Sequence, residues 1–270
     1  IMKKLHIRME VLHKGVVYMG KTLLFYARKL IYNIFPKRIK KRFIPMKDII
    51  YGSMELVQNL YDHKTRVTGV ASGLIWVDKV TTGFQPGELI VVAARPAMGK
   101  SAFCETIAQN VAIRQKIPVA IFSLEMSAQQ LTLRMLCSEA RVDSQRVRTG
   151  YLFEADWPKL TIAAGLLDEA PIFIDDSASL TPLEIRAKAR RLMTTERKLG
   201  LIVVDYLQMM HVRGIVENSQ QEIAEILLIL KGCAKELNIP VILVSQLGRA
   251  CEKRIDKKPQ LFDLRENVAI

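Results

Sequence analysis

The stretch Val91-Val92-Ala93-Ala94-Arg95-Pro96-Ala97-Met98-Gly99-Lys100-Ser101 decides the reading of this chain. An apolar run from Leu89 to Ala94 ends in a loop of small residues. The loop closes with Gly99-Lys100-Ser101, and a helical pattern opens behind it. This is the phosphate-binding pattern G-x-x-x-x-G-K-[ST] after a strand and before a helix, with Ala94 in place of the first glycine. Backbone N–H groups and the positive end of a helix cradle an anion there. Lys100 can reach outer phosphates, and the Ser101 hydroxyl can ligate Mg²⁺. The candidate nucleotide-binding residues are therefore Arg95, Pro96, Ala97, Met98, Gly99, Lys100 and Ser101. The plainer alternative, a basic turn, does not explain the strand before it and the helix after it.

Outward from this loop the chain alternates strand and helix. Leu89–Ala94 precedes a helix from Lys100 to about Gln115, and Val119–Ser123 precedes a helix that starts with the capping pattern Ser127-Ala-Gln-Gln130. A helix is expected from Glu154 to Asp168. Ile172–Ile174 then leads to Thr181-Pro182-Leu183-Glu184, with Thr at N-cap, Pro at N1 and Glu at N3 of a helix to about Arg197. Leu201–Val204 is followed by a loop, then by Ser219-Gln-Gln-Glu222 capping a helix to Leu237, then by Val241–Val244. Short, β-branched, fully apolar strands separated by helices predict an α/β fold with a parallel sheet covered on both faces.

Ligands of such sheets sit beyond the carboxyl ends of the strands. The polar residues at those ends are Lys100-Ser101, Glu125, Asp175-Asp176, Asp205 and Ser245-Gln246. Asp205 closes the apolar run Leu201–Val204, as does a Walker-B aspartate that holds Mg²⁺ through water. Glu125 can polarise an attacking water, and Gln246 can sense a γ-phosphate. Any one of these acids could merely cap a loop, but the phosphate loop, Glu125, Asp205 and Gln246 together form a catalytic set.

Composition narrows the partners. The net charge of +13 suggests nucleic acid, but residues 1–42 carry twelve Lys/Arg against Glu10 alone. That leaves 28 basic and 26 acidic residues elsewhere, so any nucleic-acid contact in the main domain must be local. No apolar run in residues 1–42 nears the ~18 residues of a membrane span. They read as a surface or disordered appendage ahead of a transit segment, a helix contacting a membrane surface, or sequence foreign to the fold. The cysteines (Cys104, Cys137, Cys233, Cys251) are scattered, which points to reduced thiols in the cytoplasm or an organelle matrix or stroma. Ile50, Met54, Val57 and Tyr61 share one face of a helix over Pro45–Asp62.

In series, Arg95–Ser101, Phe122-Ser-Leu-Glu-Met126, Asp205-Tyr-Leu-Gln208, Glu222-Ile-Ala-Glu225, Ser245-Gln-Leu247 and Asp263-Leu-Arg-Glu266 resemble the motor domain of DnaB-type replicative DNA helicases. The resemblance covers roughly Phe43 to Glu266, and alanine at the Ala94 position is common in that family. It implies a RecA-like parallel sheet with helices on both faces, preceded by a linker helix and a basic N-terminal appendage. The boundaries expected are 1–42 for the appendage, 43–72 for the linker helix and connecting loop, and 73–270 for the ATPase domain. The activity implied is ATP hydrolysis coupled to translocation on single-stranded DNA and to duplex unwinding at the replication fork. ATP and Mg²⁺ are the cofactors implied. The partners implied are single-stranded DNA, a homo-hexameric ring, primase and a helicase loader.

By position the resemblance makes Lys100 and Ser101 the phosphate and Mg²⁺ residues, Glu125 the catalytic base, Asp205 the Walker-B acid and Gln246 the sensor. Pro45–Asp62 matches a helix that docks on the neighbouring subunit. Family contacts to DNA come from loops that match about Met210–Asn218, Leu247–Lys258 and Asp263 onward. The candidates there are Arg213, Arg249, Arg254, Arg265 and Glu266, in keeping with sequence-independent, salt-sensitive binding.

Several positions depart from the family. Gly248 stands where Asn is usual, Leu227-Leu228 where Ser-Arg is usual, and Asn267-Val-Ala-Ile270 where Ser-Gly follows. The family's N-terminal helical domain and its finger-bearing later strands are not matched, so a fragment with impaired activity is expected. The rival readings are another RecA-like ATPase and a non-catalytic module that binds nucleotide or ring subunits.

Overall fold

The computed structural model describes residues 43–64, 66–196, 198–211, 219–248, 254, 256, 258–260 and 263. Residues 1–42, Arg213, Arg249, Arg265 and Glu266 lie outside the described residues. The described residues form two units divided between His63 and Lys64.

The first unit is α1, Met46–His63. It starts directly after Pro45, whose carbonyl accepts from the Asp48 amide (3.0 Å), and Asp48 in the first turn complements the helix dipole.

The second unit holds α2 (Ile75–Thr81), β1 (Leu89–Ala94), α3 (Lys100–Gln109), β2 (Val119–Ser123), α4 (Ala128–Ala140), α5 (Ser144–Thr149) and α6 (Asp156–Asp168). It continues through β3 (Ile172–Asp175), α7 (Pro182–Glu196), β4 (Leu201–Asp205), α8 (Ser219–Leu237) and β5 (Val241–Gln246). A π turn, Asn110–Arg114, extends α3, and a 3-10 turn, Leu207–Met209, follows β4.

The strands run parallel in the order β1-β5-β4-β2-β3. The strand of the phosphate loop thus stands next to β5, which separates it from the Asp205 strand, and β3 lies at the opposite edge. Alternation along the strands feeds two apolar layers. Ile202, Val204, Val241 and Leu243 face Ile185 and Ala189 of α7 and Leu230 and Ala234 of α8. Leu201, Val203, Ile242 and Val244 face Ile107 of α3, Val111 of the π turn, and Leu131 and Met135 of α4. Each fully buried aliphatic side chain contributes about 1.5–3 kcal/mol relative to exposure, so the sheet is a rigid base for the loops at its carboxyl edge.

The caps are as the sequence predicts where their side chains are described. Ser127 accepts from the Gln130 amide, and the Gln130 side chain accepts from the Ser127 amide. The Thr181 hydroxyl accepts from the Glu184 amide (3.3 Å), while the Glu184 carboxylate accepts from the Thr181 amide (2.9 Å). Two short helices, α2 and α5, were not expected from periodicity. Helix α5 is bracketed by Asp143, which accepts from the Gln145 and Arg146 amides, and by Gly150 in the left-handed region.

Candidate nucleotide site

The phosphate loop is built from backbone. Gly99 is the N-cap of α3 at φ 83°, and no side chain caps the helix there. A β-carbon on Gly99 would meet nothing within 4 Å, so the loop faces open space at a helix start whose first amides lack a side-chain acceptor. Ala97 also has positive φ (59°), and the Arg95 carbonyl accepts from the Met98 amide (3.4 Å). Pro96, Ala97, Met98 and Gly99 are exposed; Arg95, Lys100 and Ser101 are half-buried. The Lys100 ammonium stands 5.1 Å from the centroid of the Tyr206 ring.

Asp205 ends β4 and is buried. Its carboxylate is hydrogen-bonded to the Ser101 side chain, which joins the loop to the strand two positions away in the sheet. Its Oδ1 is buried without a hydrogen-bond partner among the described residues. Burial raises the Asp205 pKa; the Ser101 hydrogen bond and the Lys100 charge pull it back, and the Glu125 charge adds to the rise. A buried, partly uncompensated carboxylate beside a hydroxyl is the donor set a hard divalent cation uses, so Ser101 and Asp205 fit Mg²⁺.

The strand ends are laced together. The Leu124 amide donates to the Asp205 carbonyl (2.7 Å) and the Leu247 amide to the Ala94 carbonyl (3.0 Å). The Gln208 side chain donates to the Ser245 hydroxyl and the Gln246 carbonyl (both 3.1 Å) and accepts from the Gln246 amide (3.2 Å). The ends of β1, β5, β4 and β2 are thus bonded neighbour to neighbour. Glu125 lies exposed at the tip of a turn after β2, and Gln246 is half-buried at the end of β5. The Ser123 hydroxyl closes the Glu125 turn by donating to the Met126 carbonyl (2.7 Å).

Other expected residues go elsewhere. Asp175 binds the Lys188 ammonium and the Ser177 hydroxyl, and Asp176 accepts from the Ala128 amide at the start of α4 (2.8 Å). Both acids sit at the β3 edge, where they brace helices rather than join the phosphate loop. Of the DNA candidates, Arg254 is described. Its fork holds buried Asp263 through two bonds (2.8 and 2.6 Å) and the Lys258 carbonyl (2.6 Å). The cysteines described are buried; burial pushes the Cys104 thiol up to about 12 and the Cys233 thiol up to about 11, so neither is a nucleophile near neutral pH. Sequence reasoning gave no role to Tyr206, Gln208, Glu105 or Arg134. Tyr206 and Gln208 carried a signal by adjoining Asp205 in one motif.

Residues 69–270 match the family described as the DnaB-like helicase C terminal domain. Among curated relatives, the replicative DNA helicase DnaB of Geobacillus stearothermophilus is 47% identical over 250 residues, 92% of this chain and 55% of that protein. The replicative DNA helicase DnaC of Bacillus subtilis (strain 168) is 45% identical over 251 residues, 93% of this chain and 55% of that protein. The chain therefore spans about half the length of these relatives. Among solved structures, an isolated ATPase domain superposes with a TM-score of 0.75 at 32% identity, covering 81% of this chain and 78% of that one. A DnaB-like replicative helicase, described together with its interactions with primase, superposes at 0.74 with 27% identity over 92% of this chain and 62% of that one.

Proposed function

The chain belongs to the DnaB-like helicase C-terminal domain family, and on that premise we propose that it is the ATP-driven motor of a replicative DNA helicase. The observation that carries the reading is the Ser101–Asp205 hydrogen bond beneath an uncapped helix start, with Glu125 on the adjoining strand end. The loop amides and Lys100 bind the phosphates of ATP. Ser101 and Asp205 hold Mg²⁺, which offsets phosphate charge when bound. Glu125 accepts the proton of the attacking water, and phosphoryl transfer to water then depends on positioning and charge stabilisation. Gln246 senses the γ-phosphate, and Gln208 ties its backbone to the Asp205 strand, so nucleotide state reaches the loop after β5.

That loop and its neighbours carry Arg213, Arg249, Arg254, Arg265 and Glu266, the residues offered for single-stranded DNA. A homo-hexameric ring, primase and a loader complete the assembly, in the cytoplasm or an organelle matrix or stroma. Among the described residues no helix is long and apolar enough to cross a membrane. The test is steady-state ATP hydrolysis with and without single-stranded DNA, beside a strand-exchange assay. DNA-stimulated turnover without strand exchange is expected. Turnover indifferent to DNA, or strand exchange, would remove the helicase reading.

A further inference from the structure

Arg134, on α4, lies between two parts of the site that the sheet does not join. Its Nε faces the Glu105 carboxylate (3.2 Å), and its NH1 donates to the Met126 sulfur (3.0 Å). Glu105 sits one turn beyond Ser101 on α3, so the two share a helix face. Its side chain is 9% exposed, and its Oε1 is buried without a partner among the described residues. Met126 follows Glu125 directly. Its carbonyl and amide are both fixed by the Ser123 hydroxyl (2.7 and 3.3 Å), which leaves its side chain as the handle on the turn.

We propose that Arg134 is a positioning residue: through Glu105 and Met126 it fixes the turn carrying Glu125 against the helix carrying Lys100 and Ser101. The two elements belong to different strand–helix units, and β1 and β2 are not neighbours in the sheet. A guanidinium is suited to the task because its planar fork serves two acceptors from a rigid frame, which a lysine ammonium does not. A bare folding role predicts something different. A half-buried ion pair alone would be kept by any cation at this position, with no effect on the Glu125 turn. The proposal rests on the reading of Glu125 as catalytic base, so the test must separate the two.

The experiment compares the full chain with Arg134→Lys, which keeps the charge for Glu105, and Met126→Leu, which removes the sulfur acceptor alone. Hydrogen exchange of the Leu124 and Met126 amides and kcat and KM for ATP are measured on each. In Arg134→Lys those two amides are expected to exchange at least 10-fold faster while amides of the sheet are unchanged, and kcat to fall 10-fold or more with KM within about 3-fold. Met126→Leu should move both readouts in the same direction by less. Unchanged exchange at Leu124 and Met126 in a folded Arg134→Lys protein overturns the proposal. If Arg134→Lys fails to fold, Met126→Leu decides alone, and unchanged exchange there overturns it. Faster exchange in a chain whose wild type does not hydrolyse ATP sustains the positioning role and removes the catalytic reading of Glu125 instead.

Discussion

Replacing Lys100 by alanine tests the phosphate loop where its chemistry is simplest. In the structure the ammonium rests 5.1 Å from the Tyr206 ring centroid. A hydrogen bond from a charged donor to phosphate contributes about 1.5–3 kcal/mol. Leaving the ring costs about 0.5–1 kcal/mol at a site of this exposure. The difference, about 0.5–2.5 kcal/mol, corresponds to about 2- to 60-fold weaker binding of ATP by Lys100→Ala. Calorimetric titration in excess Mg²⁺ gives the number. The ring makes a second, sharper expectation. In a Tyr206→Leu background no cation–π contact is given up, so Lys100→Ala should cost about 0.5–1 kcal/mol more than in the wild type. Equal ATP affinity with and without Lys100 in both backgrounds would refute the reasoning.

Gln208→Ala removes three hydrogen bonds between β4 and β5 and should cost about 1–3 kcal/mol, a Tm lower by roughly 2–10 °C by calorimetry; an unchanged Tm would count against the lacing of the strand ends. Burial pushes the Glu236 carboxyl up, but its pairs with Arg190 and Arg186 outweigh that and hold it below the usual range. A depressed carboxyl stabilises above its unfolded pKa and loses that contribution as pH falls through the folded one. The wild type should therefore lose more stability than Glu236→Gln between about pH 5 and pH 3 in urea titrations; parallel curves would contradict this. Deleting residues 1–42 removes eleven of the thirteen net positive charges; it should leave ATP affinity unchanged and strip most salt-sensitive adhesion to DNA, and a loss of ATP affinity would show that the segment supports the site.

The RecA-like α/β sheet was legible because its strands are short apolar runs with sharp ends. Leu89–Ala94 and Val119–Ser123 coincide with β1 and β2, and β3 and β4 each run one residue further, to Asp175 and Asp205. Those acids remain in register with Phe122 and Ser123, so pairing continues past the apolar run. Strand order was not legible. That β5 stands between β1 and β4 follows from packing of both apolar layers, which local pattern does not encode. Helices α2 and α5 are too short for a full amphipathic repeat, although Asp143 and Gly150 mark the ends of α5. Asp175 and Asp176 resembled Asp205 in sequence, since each follows an apolar strand. Their partners, Lys188, Ser177 and Ala128, are what separate them from the site. Arg134 was hidden for the opposite reason. A basic residue within a helix reads as a solvated face, and only the fold brings it to Glu105.

The account's central claim is that Glu125 activates water at a nucleotide held by Lys100, Ser101 and Asp205. Single-turnover hydrolysis of Mg²⁺-ATP by the wild type and by Glu125→Gln tests it most directly, with binding measured on the same samples. General-base catalysis contributes about 10²–10⁴-fold. Glu125→Gln is therefore expected to bind ATP within about 3-fold of the wild type and to hydrolyse it at least 100-fold more slowly. Hydrolysis at the wild-type rate by Glu125→Gln, with ATP bound, would contradict the claim.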